Sequence, residues 1–127
     1  MKILIVEDAQ VRIDFFLKQL PTYEVDAVKR VDQALKLLKE KAYDLVMLDH
    51  DLIGARTGSH LTLEWQTNPK VLLTQNPMVI IHSMNIPGGK IMENHLRGIA
   101  KSIAVIPYRF FVTGETDIHQ LIEQLQA

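Results

Sequence analysis

The sequence of 127 residues contains no cysteine. This absence excludes disulfide bonds, thiolate metal sites and cysteine nucleophiles, so any bound metal must take oxygen or imidazole ligands. Glycine and proline are also few, with six and five residues, while 47% of the residues are hydrophobic and 23% are charged. Such a composition is typical of a globular protein, and the length predicts one domain over residues 1–127.

No hydrophobic run is long enough for a membrane span or for the core of a signal peptide. The first apolar stretch, residues 3–6, is followed at once by Glu7 and Asp8. The formal net charge of −1 predicts no general affinity for nucleic acids or membranes. We therefore expect a cytoplasmic protein that has no membrane partner.

Short apolar segments rich in β-branched residues recur along the chain and predict five strands. They occupy residues 3–6, 23–28, 45–48, 78–81 and 103–106. The segments at 3–6, 45–48 and 78–81 are nearly unbroken apolar runs, as expected for strands that are covered on both faces.

Apolar residues at helical spacing fill several of the intervals and predict amphipathic helices. Two further helices are predicted from about Ser59 until just before Pro69, and from Pro87 to about Ala100. The segment 70–76 shows no clear pattern. The apolar stripes of the other three predicted helices, two early in the chain and one near its end, are Ile13, Phe16, Leu17 and Leu20; Val31, Ala34, Leu35 and Leu38; and Ile118, Leu121, Ile122 and Leu125.

The alternation of strands and helices predicts an α/β fold with parallel strands and right-handed crossovers. Helices then cover both faces of the sheet, which makes the fold doubly wound. Five strands fit the flavodoxin-like order 2-1-3-4-5, in which the first and third strands are neighbours. Ligands bind such sheets beyond the carboxyl ends of the strands, where the direction of winding reverses.

Acidic residues follow both strands at this point. Glu7 and Asp8 follow the first strand, and Asp49, His50 and Asp51 follow the third. Two like charges about 4 Å apart repel by roughly 4 kcal/mol at an effective dielectric constant of about 20. A hard divalent cation would relieve this repulsion, and all-oxygen ligands favour Mg²⁺, Mn²⁺ or Ca²⁺. Each carboxylate taken alone fits equally a solvated strand end or a helix cap.

Polar groups also follow the fourth strand. His82, Ser83 and Asn85 would lie beside Asp49 in the predicted sheet order and are candidate donors to phosphoryl oxygens. Both His82 and His50 also fit a purely structural, hydrogen-bonded role. Gly88 and Gly89 open the next helix, where free backbone amides bind anions.

Three segments together resemble the receiver domain of bacterial response regulators: KILIVED at 2–8, LVMLD at 45–49 and VIIHS at 79–83. The resemblance implies that Glu7, Asp8 and Asp49 hold Mg²⁺. It also implies that Asp49 accepts a phosphoryl group and that Ser83 hydrogen-bonds a phosphoryl oxygen.

One receiver feature is missing. Receivers carry a lysine before a cis-proline at the end of the fifth strand, and the matching pair here is Ile106-Pro107. The phosphoryl site therefore lacks that cation, and Arg109 or Lys90 are the candidates to replace it.

A more specific resemblance is to the divergent group called cyclic-phosphate processing receiver domains. It rests on LDHDL at 48–52, IHSMN at 81–85, the pair Gly88-Gly89, and Met92. The resemblance implies an enzymatic role on cyclic phosphate ends, including those of RNA.

The implied chemistry assigns a role to each polar group near the site. A metal held by Asp8 and Asp49 would polarise the phosphate. Asp51 or His50 would move a proton, and His82 is a further catalytic candidate. The alternative for Asp51 is a cap on the loop.

Three functions remain open at this stage. The first is a Mg²⁺- or Mn²⁺-dependent phosphoesterase or phosphotransferase acting on a cyclic or terminal phosphate. The second is a signalling module that is phosphorylated at Asp49 and acts on a separate partner protein. The third is a degenerate receiver that serves only as a protein-interaction module.

Overall fold

The computed structural model describes residues 1–127 and contains one sheet of five parallel strands in the order β2-β1-β3-β4-β5. The predicted fold class and strand order are confirmed. The strands are β1 (Lys2–Val6), β2 (Glu24–Val28), β3 (Leu45–Leu48), β4 (Met78–Ile81) and β5 (Ser102–Val105).

Six α-helices connect or follow the strands. They are α1 (Gln10–Gln19), α2 (Val31–Glu40), α3 (Gly58–Thr67), α4 (Ile86–Leu96), α5 (Tyr108–Val112) and α6 (Ile118–Gln126), with a 3₁₀ turn at Pro69–Val71. Helix α4 ends four residues before the predicted Ala100, and Gly98 follows it with a φ of +81°. Helix α5 was not predicted, because five residues are too few to show a helical period.

Hydrophobic side chains cover the sheet on both faces. Leu4 and Val6 of β1 belong to a core with α2, α3 and α4, which includes Trp65. Ile3 and Ile5 point to the opposite face and pack with α1 and α6. The alternation of side chains along β1 thus divides one buried strand between two cores. None of the helices is long and apolar enough to cross a membrane.

The register of the sheet brings three chain segments together at its carboxyl edge. Val6 pairs with Leu48, and Leu48 pairs with Ile81. The residues that follow β1, β3 and β4 therefore leave the sheet side by side. The turn after β5 joins them, since the Tyr108 N–H donates to the carbonyl oxygen of His82 at 2.9 Å. The peptide bond before Pro107 is trans.

Candidate metal and phosphoryl site

Three carboxylates meet where β1 and β3 end. Each of Glu7, Asp8 and Asp49 offers an oxygen, and these oxygens lie within 4.8 Å of one another. Glu7 and Asp49 are buried, while Asp8 is half-buried and reaches solvent. The prediction that the turns after β1 and β3 lie side by side is therefore confirmed. A hard divalent cation fits this donor set, because it takes oxygen ligands and offsets several negative charges.

Burial and the neighbouring charges shift the pKa values of the acids. Burial, and then the charge of Glu7, raise the pKa of Asp49 to about 6. The pKa of Asp8 is raised by burial first and by Glu7 second. Both shifts show that the carboxylates are hard to ionise together when no cation is bound.

A buried histidine, His82, forms a hydrogen bond with Glu7, the third acid of the cluster. Nε2 of His82 lies 3.1 Å from Oε1 of Glu7, and both side chains are 0% exposed. Burial alone would raise the pKa of Glu7, but the hydrogen bond and charge of His82, with the Ala9 N–H, outweigh it and hold that pKa below its usual value. His82 thus holds Glu7 ionised. Its role as a catalytic residue stays a prediction.

The positively charged side chain at this site is that of Arg12, which was not predicted from the sequence. One guanidinium nitrogen of Arg12 lies 3.8 Å from Oε1 of Glu7 and 3.9 Å from Oδ2 of Asp49. The guanidinium also lies over the ring of Tyr108, 5.0 Å from its centroid. Arg12 is in the first turn of α1, which starts from the same edge of the sheet. Its position four residues after Asp8 was the signal that could have identified it.

The two residues predicted to replace the receiver lysine lie elsewhere. The guanidinium of Arg109 lies over the ring of Phe110, 5.0 Å from its centroid. Lys90 is exposed on α4. Neither forms an ion pair with the acid cluster, so Arg12 is the cation closest to the three carboxylates.

The fourth predicted carboxylate, Asp51, lies outside the cluster. The chain bends at His50 and Asp51, so the extended spacing that would point Asp49 and Asp51 in one direction is lost. Oδ1 of Asp51 lies 2.8 Å from Nδ1 of His50 instead. The hydrogen bond with His50 lowers the pKa of Asp51, and Asn85 contributes to the same shift.

His50 also contacts a residue that the sequence did not single out. Nε2 of His50 lies 2.7 Å from Oγ of Ser59, at the start of α3. His50 and Ser59 are close because Gly58 lets α3 begin against the preceding loop. A Cβ at Gly58 would lie 2.3 Å from the carbonyl oxygen of Asp49.

The residues predicted to bind a phosphoryl group form the start of α4. Oγ of Ser83 accepts the Asn85 N–H at 2.9 Å, and Oδ1 of Asn85 accepts the Gly88 N–H at 2.9 Å. The Gly89 N–H donates to the Asn85 carbonyl oxygen at 2.9 Å. Oγ of Ser83 and Oδ1 of Asn85 therefore act as acceptors that cap the start of the helix in this structure. The predicted phosphoryl contacts of Ser83, Asn85, Gly88 and Gly89 stay predictions.

Gly88 has a steric role that the sequence did not reveal. A Cβ at this position would lie 2.5 Å from atoms of the His50 ring. The absence of a side chain lets that ring pack directly against α4. The loop after β3 is thus held against the starts of both α3 and α4.

Residues 2–98 match the family model described as the cyclic-phosphate processing receiver domain. The chain belongs to this family. The matched region of this receiver domain runs from β1 through α4 and includes the acid cluster, Arg12 and the His50 loop. Residues 99–127 lie beyond the match, and they contain the pair Ile106-Pro107, in which isoleucine stands in place of the receiver lysine.

Solved structures of receiver domains share the fold at low sequence identity. The response regulator TrrA from Thermotoga maritima, solved in complex with Mg²⁺ and BeF, is 20% identical, with 98% of this chain and 97% of that chain covered and a TM-score of 0.69. A CheY-like receiver domain from Methylobacillus flagellatus is 16% identical, with 98% of each chain covered and a TM-score of 0.71. The phosphorylated cyanobacterial phytochrome response regulator RcpA is 20% identical, with 82% of this chain and 79% of that chain covered and a TM-score of 0.61. No curated protein matches the sequence.

Proposed function

We propose that this receiver domain binds Mg²⁺ or Mn²⁺ at Glu7, Asp8 and Asp49 and processes a cyclic or terminal phosphate, including the ends of RNA. The observation that carries the proposal is the cluster of three carboxylate oxygens within 4.8 Å of one another. The resemblance to TrrA, solved with Mg²⁺ and BeF, and to Rcp1, solved with Mn²⁺, supports this choice of metals.

Arg12 gives the site a second positive group for the substrate. A bound divalent cation would polarise the phosphate and neutralise part of its charge. The Arg12 guanidinium, held over Tyr108 beside Asp49, would bind the remaining phosphate oxygens. In this proposal Arg12 replaces the missing lysine, and the adjacent pair His50 and Asp51 handles a proton at the edge of the site.

An oligonucleotide with a 2′,3′-cyclic phosphate end tests the proposed activity. Incubation with the protein and Mg²⁺ or Mn²⁺ should convert the cyclic end to a monoester, detected by mass. Chelation of the metal or the substitution Asp49→Asn should abolish the metal-dependent part of the conversion. Asp14→Asn, the same change at an exposed position of α1, should leave it intact. Unchanged ends at high protein concentration with both metals would refute the activity.

A second candidate function is phosphorylation of Asp49 in signalling, with a separate protein as the partner. It is favoured by the position of Asp49 beside the other acids and the Arg12 guanidinium, and by the likeness to the phosphorylated RcpA. Treatment with a small phosphodonor should then add one phosphoryl group to the intact mass, and Asp49→Asn should not take it up. For either function we propose a cytoplasmic location.

A further inference from the structure

Ser59, His50 and Asp51 form a continuous chain of hydrogen bonds next to the acid cluster. Oγ of Ser59 lies 2.7 Å from Nε2 of His50, and Nδ1 of His50 lies 2.8 Å from Oδ1 of Asp51. A hydroxyl, an imidazole and a carboxylate in this order are the groups of an activated serine nucleophile.

The contacts decide the direction of the hydrogen bonds. Oδ1 of Asn85 accepts the Gly88 N–H, which turns Nδ2 of Asn85 toward Asp51 and His50. Nδ2 lies 3.2 Å from Nδ1 of His50, but the carboxylate of Asp51 is closer to Nδ1, at 2.8 Å. Because an ionised carboxylate only accepts, Nδ1 must carry the proton at that distance. In the neutral imidazole with its proton on Nδ1, the lone pair of Nε2 faces Ser59 and accepts a hydrogen bond from its hydroxyl group.

The surroundings fix the His50 ring and leave an anion-stabilising donor beside Ser59. The ring packs against Gly88, and the side chain of His50 is only 14% exposed. Ser59 is the second residue of α3, and its backbone N–H makes no hydrogen bond. A free N–H at a helix start favours negative charge close to Oγ. Ser59 itself is half-buried and accessible.

We propose that Ser59 is a nucleophile toward phosphate esters, with His50 as its base and Asp51 as the residue that orients His50. The Ser59 oxygen forms a bond to phosphorus while the bond from phosphorus to the leaving oxygen breaks. The hydroxyl proton passes to Nε2 of His50 and then to the leaving oxygen. Water subsequently cleaves the serine ester, which restores the hydroxyl and releases the phosphate. The step goes beyond the proposed function because it needs neither a metal nor Asp49.

The same hydrogen bonds would also suit a purely structural role, in which His50 fastens the start of α3 to the preceding loop. Covalent labelling separates the two roles, because a structural hydroxyl does not react faster than other serines. The chain offers the comparison, since its other two serines are Ser83 and Ser102.

Diisopropyl fluorophosphate in the presence of EDTA is the probe. In the reaction an oxygen–phosphorus bond forms at serine, the phosphorus–fluorine bond breaks and fluoride leaves. Intact mass should show one diisopropylphosphoryl group, and peptide mapping should place it on Ser59. Ser59→Ala should take up none, while Ser102→Ala should label at the rate of the unmodified protein. His50→Gln should slow labelling by about 100-fold, the usual contribution of a positioned base.

A glycine variant tests the placement of the ring without changing the three residues. Gly88→Ala, whose Cβ would meet the ring at 2.5 Å, should slow labelling relative to the unmodified protein and to Ser102→Ala. Labelling that requires Mg²⁺ would assign the reaction to the acid cluster and overturn the proposal. No adduct on the folded protein in excess reagent, an adduct on another residue, or an equal rate in His50→Gln would also overturn it.

Discussion

Arg12 places a guanidinium nitrogen 3.9 Å from Oδ2 of Asp49. The same nitrogen lies 3.8 Å from Oε1 of Glu7, so one cation faces two of the three clustered acids. Arg12 thus offsets part of the repulsion when no metal is bound. In the proposed function it would also provide a positive group for a phosphate when a metal occupies the carboxylates.

Replacing Arg12 should separate phosphate binding from metal binding. Arg12→Ala should weaken binding of inorganic phosphate in saturating Mg²⁺ by about 10-fold or more, since hydrogen bonds to charged groups contribute about 1.5–3 kcal/mol. Affinity for Mg²⁺ alone should stay the same or rise, because a competing cation is gone. Calorimetric titration measures both. Arg12→Lys, which keeps the charge but not the planar fork, should lie between the two proteins. Phosphate affinity that does not change in Arg12→Ala would contradict the assignment.

The raised pKa of Asp49 predicts a pH-dependent stability difference in the metal-free protein. Folded Asp49 keeps its proton up to about pH 6, whereas the ordinary value is 3.8. Folding therefore opposes the ionisation of Asp49. As the pH rises from the ordinary pKa of 3.8 to about 6, this group lowers the free energy of unfolding. At pH 7 in EDTA, the free energy of unfolding of Asp49→Asn should be higher than that of the unmodified protein, by on the order of 2 kcal/mol. Urea unfolding should show this gain shrinking as the pH falls from about 6 to about 4 and vanishing at lower pH. A variant that is less stable at pH 7 would contradict the crowding of the acids.

Two adjacent glycines in α4 should differ in the effect that alanine has on stability. At Gly88 a Cβ would lie 2.5 Å from the His50 ring, which must then leave Ser59 and Asp51. Gly88→Ala should therefore destabilise the protein by about 1–3 kcal/mol. At Gly89 the nearest atoms lie at 3.6 Å, so Gly89→Ala should be neutral or stabilising by up to about 1 kcal/mol. Denaturant midpoints compare the two, and equal midpoints would contradict the packing of His50 on α4.

His82 and Glu7 form a buried pair whose members should differ in their mutational cost. His82→Leu removes the only buried side chain paired with Glu7, leaving the Ala9 N–H and the more distant Arg12, and should destabilise the protein by about 3 kcal/mol. Glu7→Gln keeps a side-chain oxygen that can accept the hydrogen bond from His82, so it should lower the stability much less. The same substitution removes a negative charge and should weaken Mg²⁺ binding. Chemical unfolding and metal titration of both variants test this. A mild effect of His82→Leu would contradict the structural role of His82.

Much of the fold follows from local sequence patterns. The runs ILIV at 3–6, LVML at 45–48 and MVII at 78–81 are buried strands in the structure, because a strand covered on both faces needs apolar residues at every position. The acid cluster follows from the same patterns. Once β1 and β3 are neighbours, the residues directly after them must be close.

The remaining groups depend on the directions of side chains that the sequence does not reveal. Arg12 reaches the acids because α1 begins at the carboxyl edge and turns its first residues toward Asp49. Ser59 meets His50 because the chain bends at residue 50 and α3 starts close against the loop. Neither contact leaves a periodic signal, and the bend also explains why Asp51 turns away from the cluster.

Calorimetric titration with Mg²⁺ tests the central claim, that the turns after β1 and β3 form one cation site. We expect the unmodified protein and Asp14→Asn to bind one Mg²⁺ with similar affinity. Asp8→Asn should bind it more weakly, and Asp49→Asn should not bind it measurably, since each loses a charged oxygen of the cluster. A folded, unmodified protein that takes up neither Mg²⁺ nor Mn²⁺, or an Asp49→Asn variant that binds as tightly as Asp14→Asn, would contradict the account.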